Sequence, residues 1–167
     1  MKRSLIIALA VLAVALTLVS CKKTKQSLGF CKVEAEKDEL CCDFNITHAW
    51  YFFDDKHGGF YDIVFSDEDD LNKAYHGHWA WIDLPKIHSG ATHDLSEELS
   101  TDNWVFDVGT YSLAFANKLT GSICLKVDEA NNHIVFDIDG TDIDGDKIRI
   151  KFSGKATRVE KYIGGND

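Results

Sequence analysis

His133-Ile134-Val135-Phe136-Asp137-Ile138-Asp139 and Lys147-Ile148-Arg149-Ile150-Lys151-Phe152 are the two stretches that decide the fold. In the first, Ile134, Phe136 and Ile138 occupy every second position. In the second, Ile148, Ile150 and Phe152 alternate with Lys147, Arg149 and Lys151. Successive side chains of a strand point to opposite faces, so a two-residue period marks a strand with one dry and one wet side. Asp144-Gly145 between them supplies a tight turn, because glycine accepts the positive φ that short hairpins demand. Upstream, Ile123, Leu125 and Val127 alternate with Ser122, Cys124 and Lys126, and Asp128-Glu129-Ala130-Asn131-Asn132 makes the turn into the next strand. The pattern predicts an antiparallel meander of three strands.

Further strands are expected at residues 46–53, 59–66, 74–84, 104–108 and 111–116, with loops at 54–58 and 67–72. Asp94-Leu95-Ser96-Glu97-Glu98-Leu99 opens with an acidic N-cap and has a glutamate three residues on, a capping-box variant that predicts one short helix. About eight strands without a long helix predict an all-β fold, an antiparallel β-sandwich. A small closed β-barrel is the alternative.

The N-terminus reads as an address. Met1-Lys2-Arg3-Ser4 is basic, and residues 5–18 carry no charge, which is the pattern of an export signal. A helix over that apolar run reaches only about 21 Å, against about 30 Å for a bilayer core, so a permanent spanning helix is disfavoured. Leu18-Val19-Ser20-Cys21 resembles the lipobox of bacterial lipoproteins. The resemblance implies cleavage before Cys21, diacylation of its thiol with palmitate-type chains, and acylation of the new amino group. Two or more chains hold a protein stably on a membrane. The expected organisation is a signal helix at 1–20, a lipidated cysteine and tether at 21–29, and a single β domain at 30–163.

Lys22, Lys23 and Lys25 follow the anchor directly and would each add roughly 1 kcal/mol of attraction to anionic headgroups, a solvated linker being the alternative. From residue 22 to 29 the tether spans at most about 28 Å. Acidic residues after the cysteine often accompany surface export in Bacteroidetes. A basic segment points instead to the outer membrane with the domain facing the periplasm, the cell surface being the alternative.

Removing residues 1–21 takes away two basic residues and no acidic ones, which moves the net charge from −9 to −11 over 146 residues. That is enough chain for one domain with a real core. Such a surface repels phosphate backbones, so no nucleic-acid partner is expected. Four cysteines remain, Cys31, Cys41, Cys42 and Cys124, and thiols outside the cytoplasm tend to pair. Three connectivities are open, and sequence does not rank them. No C-x-x-C is present to suggest a thioredoxin-like centre.

Tyr61-Asp62-Ile63-Val64-Phe65-Ser66-Asp67, Gly121-Ser122-Ile123-Cys124-Leu125-Lys126-Val127, Asp144-Gly145-Asp146-Lys147-Ile148 and Phe152-Ser153-Gly154-Lys155-Ala156 together resemble a group of small uncharacterised Bacteroidetes lipoproteins. The resemblance covers about two thirds of the mature chain. It implies a β-sandwich on a lipid tether and supplies no catalytic residues.

Three constellations are candidates for chemistry. His76 and His78, placed in one strand, would project from one face about 6.6 Å apart and share a divalent metal. His88, His93 or Asp94 would supply a third ligand, as a zinc hydrolase needs. The bland alternative is a strand whose histidines face solvent, and no H-E-x-x-H framework favours the metal. The acidic stretch 137–146 invites calcium, but neither EF-hand register fits: from Asp142, position 6 is Lys147 and position 12 is Ser153. Trp79 and Trp81 lie two apart on one strand face and are the candidate ligand-binding residues, able to stack on sugar rings; core packing is the commoner use of such residues. No G-x-S-x-G elbow is present. The expected function is a non-catalytic envelope binding module for a glycan, peptide or protein. A metal-dependent hydrolase and a structural assembly component are the alternatives, and no cofactor is implied beyond the zinc or calcium just weighed.

Overall fold

The structure is a computed structural model that describes residues 26–34, 42–55, 59–86, 89–95, 105–108, 119–141 and 145–161. The expected signal helix, Cys21, Cys41, His88 and the strand at 111–116 lie outside the described residues. In chain order the elements are β1 (Gly29–Glu34), β2 (Cys42–Ile46), β3 (His48–Asp54), β4 (Phe60–Ser66), a single helical turn α1 (Leu71–Ala74), β5 (Trp79–Pro85), β6 (Thr92–Asp94), β7 (Val105–Val108), β8 (Thr120–Asp128), β9 (His133–Thr141), β10 (Lys147–Lys155) and β11 (Thr157–Arg158).

The strands form two sheets. One is ordered β2-β1-β10-β9-β8-β6 and is antiparallel throughout; the other is ordered β11-β3-β4-β5-β7, with β11 parallel to β3. Both sheets are open, so the molecule is the expected all-β sandwich, and the closed-barrel alternative is set aside. The meander β8-β9-β10 forms as its alternation dictates, with Ile138 facing both Ile123 and Ile150, and Phe136 facing both Leu125 and Phe152.

The same alternation builds the core. Ile123, Leu125, Ile134, Phe136, Ile138, Ile148, Ile150 and Phe152 are buried on the inner side of the six-stranded sheet. Tyr51, Ile63, Phe65, Ile82 and Leu84 meet them from the other sheet. Phe65 bridges the layers, its ring 5.3 Å from that of Phe136 and 5.1 Å from that of Phe152. Each such side chain contributes roughly 1.5–3 kcal/mol through removal from water. On the wet side, Lys151 binds Asp137 (2.9 Å) and Arg149 binds Asp139 (3.3 Å) across the β9–β10 ladder.

Two expectations need correction. The run 46–53 is not one strand. It breaks at Thr47, where the chain passes from one sheet to the other, and Thr47 is held by Ser66 O (3.0 Å) and Asp67 O (3.1 Å). The strand placed at 74–84 starts only at Trp79. Asp70 caps α1 by accepting from Asn72 N–H at 2.9 Å, so the helical turn and its exit consume residues 71–78. Asp94 closes β6 opposite Ser122; residues 96–99, where the short helix is expected, lie outside the described residues. β1 is absent from the expected strands, and it begins within the expected tether: Gly29 opens it, and Leu28 N–H donates to Ile46 O while Leu28 O accepts from Ser153 N–H.

Candidate functional site

Along β5 the buried Ala80, Ile82 and Leu84 alternate with Trp79, Trp81 and Asp83, which therefore project from the outward side of the five-stranded sheet. Cross-strand register aligns Trp50, Val64 and Trp81 in one row and Phe52, Asp62 and Asp83 in the next. Trp50, Val64 and Ala74 form a second apolar cluster separate from the main core, and Phe52, Tyr75, Trp79 and Trp81 are partly buried around it. α1 lies on this face through Ala74, and Tyr75 meets Trp79 edge-on with ring centroids 5.9 Å apart. His48 stacks beside Trp50 at 6.0 Å. The tryptophans singled out in the sequence are thus neither main core nor isolated. They belong to an outward aromatic surface.

Two carboxylates sit within it. Asp62 is only 1% exposed, and burying a carboxylate is costly unless it is bonded. The Trp81 Nε1–H donates to Asp62 Oδ1, which also fixes the plane of the indole. Asp83 stands opposite Asp62 and is less deeply buried. Its carboxyl is pushed up to about 6, chiefly by burial and then by the charges of Asp62 and Asp54. Among the described residues no group donates to Asp83 Oδ1. The face therefore combines a pinned indole, flanking aromatic rings and an acid that changes protonation in mildly acidic solution. Aromatic ring faces attract the positive C–H edges of a saturated ring, and a carboxyl beside them bonds hydroxyls. Sequence pattern found the two tryptophans. It missed Asp62 and Asp83, although an aspartate inside an apolar strand run is itself a signal.

The histidine pair does not assemble. His76 N–H donates to Lys73 O (2.9 Å) and Gly77 N–H to Ala74 O (3.0 Å), so both histidines belong to the turn leaving α1 and share no strand face. His76 is exposed; His78 Nδ1 lies 3.0 Å from Asp67 Oδ2, and its ring stacks on Phe44 of β2 at 5.6 Å. His93 and Asp94 are on β6, at the other edge of the sheet from β2. Five strand spacings separate those edges, roughly 24 Å. The described residues thus bring His76 and His78 to no shared strand face, and His88 lies outside them. Among the described residues no three His, Cys, Asp or Glu side chains gather in a metal-binding arrangement. The calcium candidates Asp137 and Asp139 face Lys151 and Arg149.

Cysteine connectivity narrows. Cys31, Cys42 and Cys124 are all thiols. β1 and β8 are separated by β10 and β9, so Cys31 and Cys124 lie about 14 Å apart across the strands, twice the reach of a disulfide. Cys124 also alternates with the buried Ile123 and Leu125 and so faces outward. Neither Cys31 nor Cys42 can pair with it in this fold.

A concavity of about 650 Å³ opens at one end of the sandwich beside Tyr61, Lys86 and Glu129. Its carboxylate is already engaged: Glu129 accepts from Tyr61 OH at 2.9 Å and lies 3.8 Å from Lys86 and 3.6 Å from Arg158. That cluster ties β4 to the β8–β9 turn. Comparison with family models, with curated proteins and with solved structures found no match in any of the three, so the reading of the aromatic face rests on its own chemistry.

Proposed function

We propose that this chain is a lipid-anchored envelope protein whose β-sandwich binds glycan, without catalysing a reaction, on the outward face of the five-stranded sheet. The observation that carries the binding half is the grouping of Trp79, Trp81 and Phe52 with Asp62 and Asp83 on a sheet surface outside the main core. A second core needs no carboxylates, whereas a sugar site needs ring faces and hydroxyl partners together. Support for the anchoring half is the basic start, the apolar run and the lipobox ending at Cys21, which resemble those of Bacteroidetes lipoproteins. A domain tethered close to the outer membrane, on its periplasmic side, would meet saccharides that pass or line that membrane.

The binding half is tested by native gel electrophoresis of the purified protein in gels containing a panel of soluble polysaccharides, followed by calorimetry on any that retard it. Retardation by at least one polysaccharide, lost on Trp81→Ala while the circular dichroism spectrum is kept, is the expected result. If no polysaccharide in a panel spanning α- and β-linked neutral and acidic glycans retards the protein, the glycan reading is wrong. Retardation that survives Trp79→Ala combined with Trp81→Ala moves the site off this face.

A further inference from the structure

The register of β1 and β2 sets Val33 opposite Cys42 and Cys31 opposite Phe44. Cys31 and Cys42 are therefore diagonal neighbours on the inner side of adjoining strands, roughly 7–8 Å apart at Cα with their side chains somewhat closer. Their thiols lie within interaction range of each other. The two differ in access. Cys31 is fully buried, while Cys42 is partly open and lies on β2, the edge strand of the sheet. A third group completes the arrangement. Phe44 carries the stacked ring of His78, and Asp67 holds His78 Nδ1 at 3.0 Å.

The Asp67 carboxylate keeps His78 protonated to higher pH than usual. Interaction with the Cys31 thiol, seconded by the imidazolium charge, holds the Cys42 thiol below its ordinary range. The same interaction, with burial, pushes the Cys31 thiol up. A half-open thiol held below its ordinary range beside a cation and a second thiol is the environment of a reactive cysteine with a resolving partner.

We propose that Cys42 and Cys31 form a thiol–disulfide exchange site that takes a low-molecular-weight disulfide and closes to a Cys31–Cys42 bond. Cys42 as thiolate attacks one sulfur of the incoming disulfide RSSR, forming Cys42–S–SR and releasing RS⁻. Cys31 then attacks Cys42 Sγ, the mixed disulfide breaks, and the second R group leaves as thiol. The proton from Cys42 goes to the first leaving thiolate and that from Cys31 to the second. The protein loses two electrons and two protons, and RSSR becomes two RSH. A small oxidant fits because the half-open Cys42 sulfur offers the point of attack, and the resolving Cys31 is its diagonal neighbour on β1. The product staples the edge strand β2 to β1. This site is independent of the glycan reading.

The full-length chain carrying Cys41→Ser is reduced, desalted and incubated with oxidised glutathione, then alkylated, digested with trypsin and mapped by mass. Trypsin places Cys31 in peptide 26–32, Cys42 in peptide 38–56 and Cys124 in peptide 119–126. The expected result is a cross-link between the first two peptides with loss of two hydrogens, and no glutathione on Cys124. Cys31→Ser in the same background traps one glutathione on Cys42. His78→Gln slows alkylation of Cys42 by iodoacetamide at least threefold at pH 7, and moves its rate profile to higher pH. The proposal is overturned if Cys31 and Cys42 both remain alkylatable after oxidation, if glutathione settles on Cys124 first, or if Cys31→Ser carries no adduct. Circular dichroism of each variant separates these outcomes from misfolding.

Discussion

Asp62 and Asp83 are direct partners in the β4–β5 ladder, and both project from the outward side of the sheet, where Trp81 donates to Asp62 and no described group donates to Asp83 Oδ1. The pair has unequal environments. Asp62 is stabilised by its indole donor, so the cost of placing two acids together falls on Asp83, whose carboxyl rises to about 6.

The sign of the resulting pH dependence follows. An unfolded aspartate titrates near 3.8 and the folded one near 6, so the native state holds this proton more tightly. Its contribution falls as pH rises from about 4 to 6 and is level beyond. The loss is about 1–2 kcal/mol once solvent contact is discounted. Asp83→Asn is expected to remove this slope and to be more stable than wild type at pH 7.5 but not at pH 4. Urea midpoints at both pH values check it, and equal differences at the two would refute it.

Phe65 touches Phe136 and Phe152 and so joins the two sheets at the centre of the core. Phe65→Ala should cost about 3–5 kcal/mol, and Phe65→Leu much less. Chemical denaturation measures both. A cost under about 1 kcal/mol for the alanine variant would show that the sheets do not pack through this ring.

A Cβ on Gly29 would lie 1.9 Å from the carbonyl oxygen of Lys151, so only glycine lets β1 approach β10 there. Gly29→Ala is expected to destabilise the fold by more than about 2 kcal/mol. Gly77→Ala, whose Cβ would meet the flexible Glu68 side chain at 3.3 Å and the Lys73 carbonyl oxygen at an ordinary 3.7 Å, should stay within about 0.5 kcal/mol. Thermal melts of the two variants, compared side by side, decide the matter.

Asp70 caps the single turn that lies on the aromatic face. Asp70→Ala should cost about 1 kcal/mol and loosen Tyr75 against Trp79. Near-ultraviolet circular dichroism and tryptophan emission will change while the far-ultraviolet spectrum stays that of a sheet protein. An unchanged near-ultraviolet signal argues against α1 as the support of that face.

Growth with labelled palmitate tests the anchor. Label is expected on the wild-type product and absent from Cys21→Ser, which should accumulate with its leader attached. Label persisting on the serine variant would place any acylation elsewhere.

The strands that alternate cleanly were legible residue by residue. Ile123 to Phe152 needs only a two-residue period to sort inside from outside, and every apolar position predicted there except the partly buried Val127 is buried. Residues 46–53 and 74–84 were misread for a shared reason. A chain that changes sheet at Thr47, or spends one turn as a helix at Leu71–Ala74, keeps its apolar composition while its period lapses over very few residues. The capping aspartate at position 70 was the one local cue, inside an acidic run that otherwise reads as loop.

The sequence by itself determined the all-β class, the meander and its inward side chains, because strand periodicity is a local property of the chain. Only the tertiary structure decided which residues meet. Asp62 finds Trp81 because β4 and β5 pair in one register, Cys31 finds Cys42 because β1 and β2 do, and His78 leaves His76 for Asp67 because a capped turn rotates them apart. Register and sheet order depend on contacts distant in sequence, which no local pattern encodes.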